Sequence, residues 1–135
     1  MKTARVFFLA ITILTAMSFF ASGNSKTDGN QEPQKAKVNV YYFHTNARCA
    51  TCKAIESEAK QDVQELFGKE VSFAAYNLDD AAGEAKGKEL GVNSQVLLVV
   101  KGSKKINITN EGFLYARTDP GKFKKIIEEK IKPLL

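Results

Sequence analysis

The sequence predicts an α/β domain in which a four-stranded mixed sheet is flanked by helices, in the order β-α-β-α-β-β-α. Three observations predict this fold. Apolar runs of strand length alternate with segments whose apolar residues recur at helical spacing. A glycine-containing turn signal separates the last two strand-like runs. The two cysteines of the chain lie where the first strand passes into the first helix.

The first strand and the first helix have the clearest patterns. Residues 38–44 are rich in β-branched and aromatic residues, which favours a central strand that is buried on both faces and makes Tyr42 a core residue. The next segment ends near Phe67, and its apolar residues recur at helical spacing opposite a charged face that includes Glu56 and Asp62. Gly68 is expected to end this helix.

A second strand and a second helix follow. Residues 71–77 predict the strand. Asp79 or Asp80 is placed to cap a short helix over residues 81–90, which Gly91 is expected to end. The strands that crossover helices connect are expected to run parallel.

The last third of the chain predicts a hairpin and a closing helix. A third strand over residues 95–100, a turn over 101–104 and an antiparallel fourth strand over about 105–109 form the hairpin. We expect residues 110–112 to turn and residues 113–116 to extend the sheet or to form a bulge. The final helix has Asp119 as its cap and Pro120 at its first position.

The N-terminal residues 1–23 are typical of a secretory signal peptide. Lys2 and Arg5 precede a charge-free apolar run over residues 6–21, and small residues follow at a plausible cleavage site. Residues 24–37 are polar without apolar periodicity and predict a flexible linker, which leaves 38–135 as one domain. We therefore expect a periplasmic or secreted protein, attached to a membrane only if the signal stays uncleaved as an anchor.

Composition and motifs argue against several classes of function. The net charge of +5 falls to +3 without the signal's two cations, and the lysines are scattered among acids with no basic motif interleaved with aromatic residues. We therefore expect no nucleic-acid partner. The sequence contains no phosphate-binding loop, dinucleotide fingerprint, nucleophilic serine motif or paired-carboxylate site. No cofactor is expected, and any flavin or nicotinamide would belong to a partner.

The cysteine pair carries the chemistry that the sequence predicts. Cys49 and Cys52 are separated by two residues, a spacing that lets the two sulfurs close a disulfide at the start of a helix. The free N–H groups and partial positive charge of a helix N-terminus stabilise a thiolate, so Cys49 is the expected nucleophile. Cys52, one turn deeper, is the expected resolving thiol. Outside the cytosol such a pair is oxidised by default.

Four neighbours of the pair are candidates for tuning its reactivity, and each has a second interpretation. Arg48 and Lys53 either favour the thiolate or only solvate the helix start. Thr51 either donates a hydrogen bond to a sulfur or acts as a neutral spacer. His44, the one histidine of the chain, either moves a proton or is a polar residue that closes the first strand.

The order of elements, with Cys49-Ala50-Thr51-Cys52 at the first strand–helix junction, resembles the thioredoxin fold over about residues 38–135. The runs at 41–44 and 48–56 are similar to a group of exported bacterial thioredoxin-like proteins. That group is named for a subunit of a nitrophenyl-compound nitroreductase. The resemblance implies a minimal thioredoxin-like domain that exchanges electrons with a redox partner protein. At the finer level, it implies a subunit of a reductase system that acts on nitroaromatic compounds.

The chain departs from thioredoxins at the positions around the pair. Arg48 stands where thioredoxins have a tryptophan, and Ala-Thr replaces their Gly-Pro. The cis-proline that faces the disulfide in thioredoxins is absent, and Val96, or Gln95, occupies its place in this sequence. Val96 is therefore a further candidate for tuning the reactivity of the pair. No acid ends the first strand, where thioredoxins bury a carboxylate. These departures put efficient general disulfide exchange in doubt.

Two other functions remain open at this point. The first is binding of a soft metal or a trivalent arsenical by the thiols of Cys49 and Cys52, because thiolates prefer soft ions. A closed structural zinc site needs four ligands, and the pair with His44 supplies three. The second is a non-catalytic thioredoxin-like interaction module in which the disulfide is structural. The enzyme that the sequence favours over both is a thiol–disulfide oxidoreductase.

Overall fold

The computed structural model describes residues 37–135. The predicted signal peptide and all of the predicted linker except Lys37 lie outside the described residues, so both stay predictions. Within 37–135, none of the helices combines the length and the apolar character that crossing a bilayer requires. The elements are β1 (Val38–His44), α1 (Ala50–Phe67), β2 (Val71–Asn77), α2 (Ala81–Leu90), β3 (Val96–Lys101), β4 (Lys104–Asn107), α3 (Thr109–Tyr115), α4 (Pro120–Ile131) and a 3₁₀ turn (Lys132–Leu134).

The four strands form one mixed sheet in the order β2-β1-β3-β4. This confirms the predicted fold class and the central position of β1. β1 is parallel to β2 and antiparallel to β3, and β4 pairs with β3 in the predicted antiparallel hairpin. The expectation that β3 would run parallel to the first two strands, because a helix precedes it, was wrong.

The register of the strands explains the reversed direction of β3. His44 is paired with Asn77, the last residue of β2, and Phe43 is paired with Val96, the first residue of β3. The end of β2 and the start of β3 therefore lie at the same edge of the sheet. Because β3 starts at the edge where β2 ends, it runs in the opposite direction to β1 and β2.

The main core lies between one face of the sheet and helices α1, α3 and α4. Its residues are those of alternate positions on the strands, which is the period of two that a strand imposes. On the other face, Phe43 is fully buried, and Tyr41 lies beneath α2 with its ring 5.2 Å from the Lys86 ammonium. The buried residues of the main core are Val38, Val40, Tyr42, Ile55, Ala59, Val63, Val71, Leu97, Val99, Ile108, Ala116, Phe123, Ile127, Ile131 and Leu134.

The helix ends that the sequence predicts are confirmed. α1 ends at Phe67, and Gly68 adopts the positive φ of +53° that turns the chain toward β2. At the start of α4, the Asp119 side chain accepts a hydrogen bond from the backbone N–H of Lys122, as expected for a cap. Asp80 precedes α2 as predicted, although its side chain makes no capping hydrogen bond.

Residues 109–115 form helix α3, so the predicted turn and strand extension over 110–116 were wrong. Asn107 accepts hydrogen bonds from both the backbone N–H and the hydroxyl of Thr109, which ends β4 and starts the helix. Gly112, interpreted as a turn residue, is instead a contact point between helices. A Cβ atom there would lie 3.2 Å from a methyl group of Ile55 on α1. Gly112 therefore lets α3 approach α1 closely.

One acidic residue of α1 lies inside the molecule. Asp62, predicted on the charged solvent face, is only 4% exposed. α4 packs across α1 at this level, and the Lys124 ammonium lies 3.8 Å from the Asp62 carboxylate. The helical pattern placed Asp62 next to the apolar stripe of α1. Helix α4 covers residues beside that stripe as well, which the pattern does not indicate.

Candidate dithiol site

Cys49 and Cys52 are joined as a disulfide at the N-terminus of α1, with their Cα atoms 5.1 Å apart. Cys49 is the N-cap residue of the helix and is exposed, whereas Cys52 lies in the first turn and is 5% exposed. A partner protein can therefore reach Cys49 directly, and Cys52 is shielded behind it. This difference in access is what a nucleophile and a resolving thiol require, although their roles stay a prediction.

The backbone of the first helical turn is directed at the Cys49 sulfur. The N–H of Cys52 donates a hydrogen bond to Cys49 Sγ at 3.1 Å, and the first turn of α1 contains no acidic residue. The same sulfur would carry a negative charge once the disulfide is reduced. Hydrogen bonding by a backbone donor and the helix dipole both favour that charge. The local geometry therefore favours a reactive thiolate at Cys49.

A buried tyrosine connects the sheet to this turn. Tyr42 on β1 has no solvent-exposed surface, and its hydroxyl donates a hydrogen bond to the Cys52 carbonyl oxygen at 2.9 Å. The Gln95 side-chain amide donates in turn to the Tyr42 hydroxyl at 2.5 Å. Burial raises the pKa of Tyr42 above its ordinary value of 10.0, and the nearby Arg48 charge offsets only part of this effect. Tyr42 is therefore a neutral hydrogen-bonding group at neutral pH.

Sequence reasoning assigned Tyr42 only to the core and named Gln95 only as an alternative to Val96. The strand pattern indicates which side chains point inward, but it contains no signal for the partner of a buried hydroxyl. A fully buried tyrosine in a central strand nevertheless needs a hydrogen-bond partner for its hydroxyl. That requirement was the one available clue that Tyr42 contacts more than apolar side chains.

Arg48, which precedes Cys49, forms an ion pair with Glu56 on the next turn of α1. The two side chains are 24% and 27% exposed, so Glu56 is not a free surface residue as its pattern indicated. Arg48 lies near enough to Tyr42 to affect its titration. The charge of Arg48 is therefore shared with Glu56 and acts on Tyr42, rather than being directed only at the sulfurs.

The other predicted tuning residues make fewer contacts with the pair. Val96 begins β3 and is paired with Phe43, so it lies on the sheet face opposite Tyr42. His44 ends β1, and its Nδ1 lies 3.1 Å from the Thr45 carbonyl oxygen. Thr51 is half-buried in α1, and no hydrogen bond links it to a sulfur among residues 37–135. Within the same described range, no three potential metal-ligating side chains form a group.

The loop between β1 and α1 is held by the neighbouring loop after β2. The backbone N–H of Asn46 donates to the Asp79 carboxylate at 2.6 Å. The Asn77 side-chain amide donates to the Asn46 side-chain oxygen at 2.8 Å. These contacts fix the segment that leads into Cys49, and they give Asp79 a structural contact in place of the capping role considered for it.

Comparisons with known proteins support the fold but do not assign the chain to a family. No family model and no curated protein matches the chain. The structure is similar to that of Trxlp from Edwardsiella tarda EIB202, with a TM-score of 0.50, 14% identity, and coverage of 70% of this chain and 84% of that one.

Two further solved structures resemble the chain. Thioredoxin f2 from Chlamydomonas reinhardtii has a TM-score of 0.48 and 23% identity, over 73% of this chain and 83% of that one. An uncharacterised thioredoxin-like protein from Clostridium perfringens has a TM-score of 0.47 and 15% identity, over 73% and 74% of the two chains. Taken with the strand order, the similarity to Trxlp shows that the described domain has a thioredoxin-like fold.

Proposed function

We propose that this protein is an exported thiol–disulfide redox protein that exchanges two electrons with a partner protein through Cys49 and Cys52. The observation that carries the proposal is the disulfide at the N-terminus of α1, with one exposed and one buried cysteine. A thioredoxin-like fold with a Cys-x-x-Cys pair in this position is suited to that chemistry. Export is supported by the N-terminal Lys2, Arg5 and the apolar run over residues 6–21.

The reaction follows from the access to the two sulfurs. In the reduced protein, the Cys49 thiolate attacks one sulfur of a partner disulfide, and the other partner sulfur leaves as a thiolate. Cys52 then loses its proton and attacks Cys49 Sγ, which releases the second partner sulfur and restores the Cys49–Cys52 disulfide. The partner gains two electrons and the chain loses two. The same steps in reverse oxidise a partner dithiol.

The small loop between the cysteines makes a purely structural role less favourable. In the loop-entropy description, a disulfide that closes about four residues stabilises a protein by about 2 kcal/mol, against about 3 kcal/mol for a 15-residue loop. The fold already has a buried core that spans the sheet and three helices. A disulfide within one helical turn adds less stability than a long-loop disulfide would, so the redox role explains the pair better.

The experiment that tests the proposal is mechanism-based trapping in the full chain. Without the resolving thiol, a Cys52→Ser variant should accumulate mixed disulfides through Cys49 in the periplasmic fraction of acid-quenched cells. These adducts should disappear on reduction and be absent from the Cys49→Ser, Cys52→Ser double variant. A Cys52→Ser sample that shows no Cys49-dependent adduct contradicts the proposal.

A reduction potential separates the redox role from the structural one without a partner. The pair is equilibrated with glutathione buffers, and the fraction of reduced protein is measured by thiol labelling. A potential above about −300 mV supports exchange, because structural disulfides of secreted proteins typically have potentials below that value. A lower potential favours the non-catalytic interaction module.

The finer proposal is that the partner belongs to a reductase system that acts on nitroaromatic compounds. Its support is the similarity of the runs at 41–44 and 48–56 to the exported group described above. The trapped partner, identified by mass spectrometry, tests it. A partner that carries a flavin or nicotinamide site and reduces nitrophenyl compounds is the expected result. A partner restricted to protein disulfide formation removes the nitroaromatic role and leaves the redox role.

A further inference from the structure

A continuous chain of hydrogen bonds runs from the loop before β3, through the core, to the exposed sulfur. The Gln95 amide donates to the Tyr42 hydroxyl, which donates to the Cys52 carbonyl oxygen. The N–H of the same Cys52 donates to Cys49 Sγ. Cys52 is therefore held through both of its backbone polar groups, one toward the sheet and one toward the reactive sulfur.

The burial of Tyr42 makes this chain a fixed part of the site. Because the residue has no exposed surface, no bulk water replaces either of its hydrogen bonds. Its ring packs in the main core between β1 and α1, so the hydroxyl has little freedom to move. The hydroxyl thus joins three segments: the central strand, the first turn of α1 and the loop before β3.

We propose that Tyr42, held by Gln95, is a positioning residue for the first turn of α1. It keeps that turn oriented so that the Cys52 N–H points at Cys49 Sγ, which favours the thiolate form of Cys49 in the reduced protein. The inference rests on the proposed redox function and deepens it. Tyr42 does not touch the reacting sulfurs and acts only through the Cys52 backbone. Gln95 supports it by donating to the one hydroxyl that makes the contact.

The physical reason lies in how strongly an N–H donor depends on its direction. A hydrogen bond weakens steeply as its angle closes, and its strength roughly doubles when the acceptor is charged. Cys49 gains that charge only after reduction. Restraint of the first turn therefore stabilises the reduced protein more than the oxidised one. Loss of the restraint should lower the thiolate fraction of Cys49 and make the pair harder to reduce.

The test measures alkylation of the reduced full chain by iodoacetamide across pH, with the modified cysteine identified by mass spectrometry. At pH values below the midpoint of the parent's own alkylation profile, Tyr42→Phe should alkylate at Cys49 about threefold more slowly than the parent, the effect of one modest hydrogen bond. At a pH where every thiol is ionised, the two rates should agree. Tyr42→Phe keeps the ring in the core and removes only the hydroxyl.

Two further variants make the result specific. Tyr41→Phe is the matched control, because Tyr41 is on the same strand but faces α2, and its alkylation profile should not change. Gln95→Ala, at a half-buried loop position, should slow alkylation in the same direction. The double variant of Tyr42→Phe and Gln95→Ala should be no slower than the more affected single variant, since both act through one chain of contacts.

The outcomes that overturn the inference are distinct. A Tyr42→Phe profile whose midpoint matches that of the parent, with the far-ultraviolet circular dichroism retained, removes the positioning role. If alkylation is slowed equally at all pH values, the reagent's access to Cys49 has changed rather than the ionisation of the thiol. That outcome also removes the positioning role. If Tyr42→Phe does not fold, Gln95→Ala decides by the same criteria. Alkylation needs no partner, so failure of the trapping experiment alone overturns the redox function and leaves this result standing.

Discussion

Asp62 gives the most quantitative prediction, because its carboxyl group is buried without adequate compensation. The side chain is 6% exposed, its nearest cation is Lys124 Nζ at 3.8 Å, and Oδ2 has no hydrogen-bond partner within the described domain. Burial raises its pKa from 3.8 to about 6. The attraction of Lys124 opposes this rise, and the neighbouring charges of Glu58 and Glu65 add to it.

The sign of the effect on stability follows from this raised pKa. A carboxyl group whose pKa is higher in the folded than in the unfolded protein favours folding when protonated and opposes it when ionised. The difference between 3.8 and about 6 corresponds to about 3 kcal/mol of lost stability above pH 6. The loss begins near pH 4 and is complete once the pH exceeds the folded pKa. Lowering the pH through this window should therefore restore stability.

Asp62→Asn should make the protein more stable at neutral pH by about 2 kcal/mol, because it removes the charge but leaves a buried amide to desolvate. Urea unfolding of the oxidised full chain, followed by circular dichroism from pH 4 to 8, measures the free energy of unfolding. The gain should vanish near pH 4. The reasoning would be refuted if the Asp62→Asn variant and the parent differed in free energy of unfolding by the same amount at pH 4 and at pH 8. It would also be refuted if the variant were less stable than the parent at pH 8.

Glu65→Gln is the matched control on the same helix. Hydrogen bonding to Lys124 and Gln61 lowers the pKa of the exposed Glu65, so its contribution has the opposite sign to that of Asp62. Its stabilising effect is present at neutral pH and is lost as the pH falls. The Gln variant should therefore be no more stable than the parent at pH 8, where Asp62→Asn shows its full gain.

The remaining predictions concern two glycines and two residues at helix starts. Gly83→Ala should destabilise the fold by more than about 1 kcal/mol, because its Cβ would lie 1.8 Å from the Asn77 carbonyl oxygen. Gly121→Ala, whose Cβ would meet nothing closer than 3.8 Å, should instead stabilise α4 by about 0.5–1 kcal/mol. Asp119→Ala should cost about 1 kcal/mol by removing a cap hydrogen bond, and Asp80→Ala, which loses no such bond, should cost less. Thermal unfolding of the four variants measures all of these effects. A Gly83→Ala variant as stable as the parent, or equal losses of stability in Asp119→Ala and Asp80→Ala, would contradict the contacts described.

Local signals in the chain predicted most of the secondary structure. The positive φ of Gly68 and the cap at Asp119 depend on neighbouring residues only, and both helix ends lie where the pattern put them. Helix α3 was missed because its start depends on Asn107 and its Gly112 packs against Ile55 on another helix. A glycine in a short polar segment reads as a turn unless the partner helix is known.

At the candidate site, the residue pattern was enough to predict where the cysteine pair lies, whereas the contacts around the pair depend on how distant segments pack. Two cysteines at this spacing after a strand are sufficient to predict a dithiol at a helix N-terminus, because the spacing and the junction are local features. The contact of Tyr42 with Cys52 spans ten residues, and that with Gln95 spans 53. Likewise, α4 buries Asp62 of α1. Such contacts arise only when the sheet and helices pack, since residue pattern specifies which face turns inward but not what it meets there.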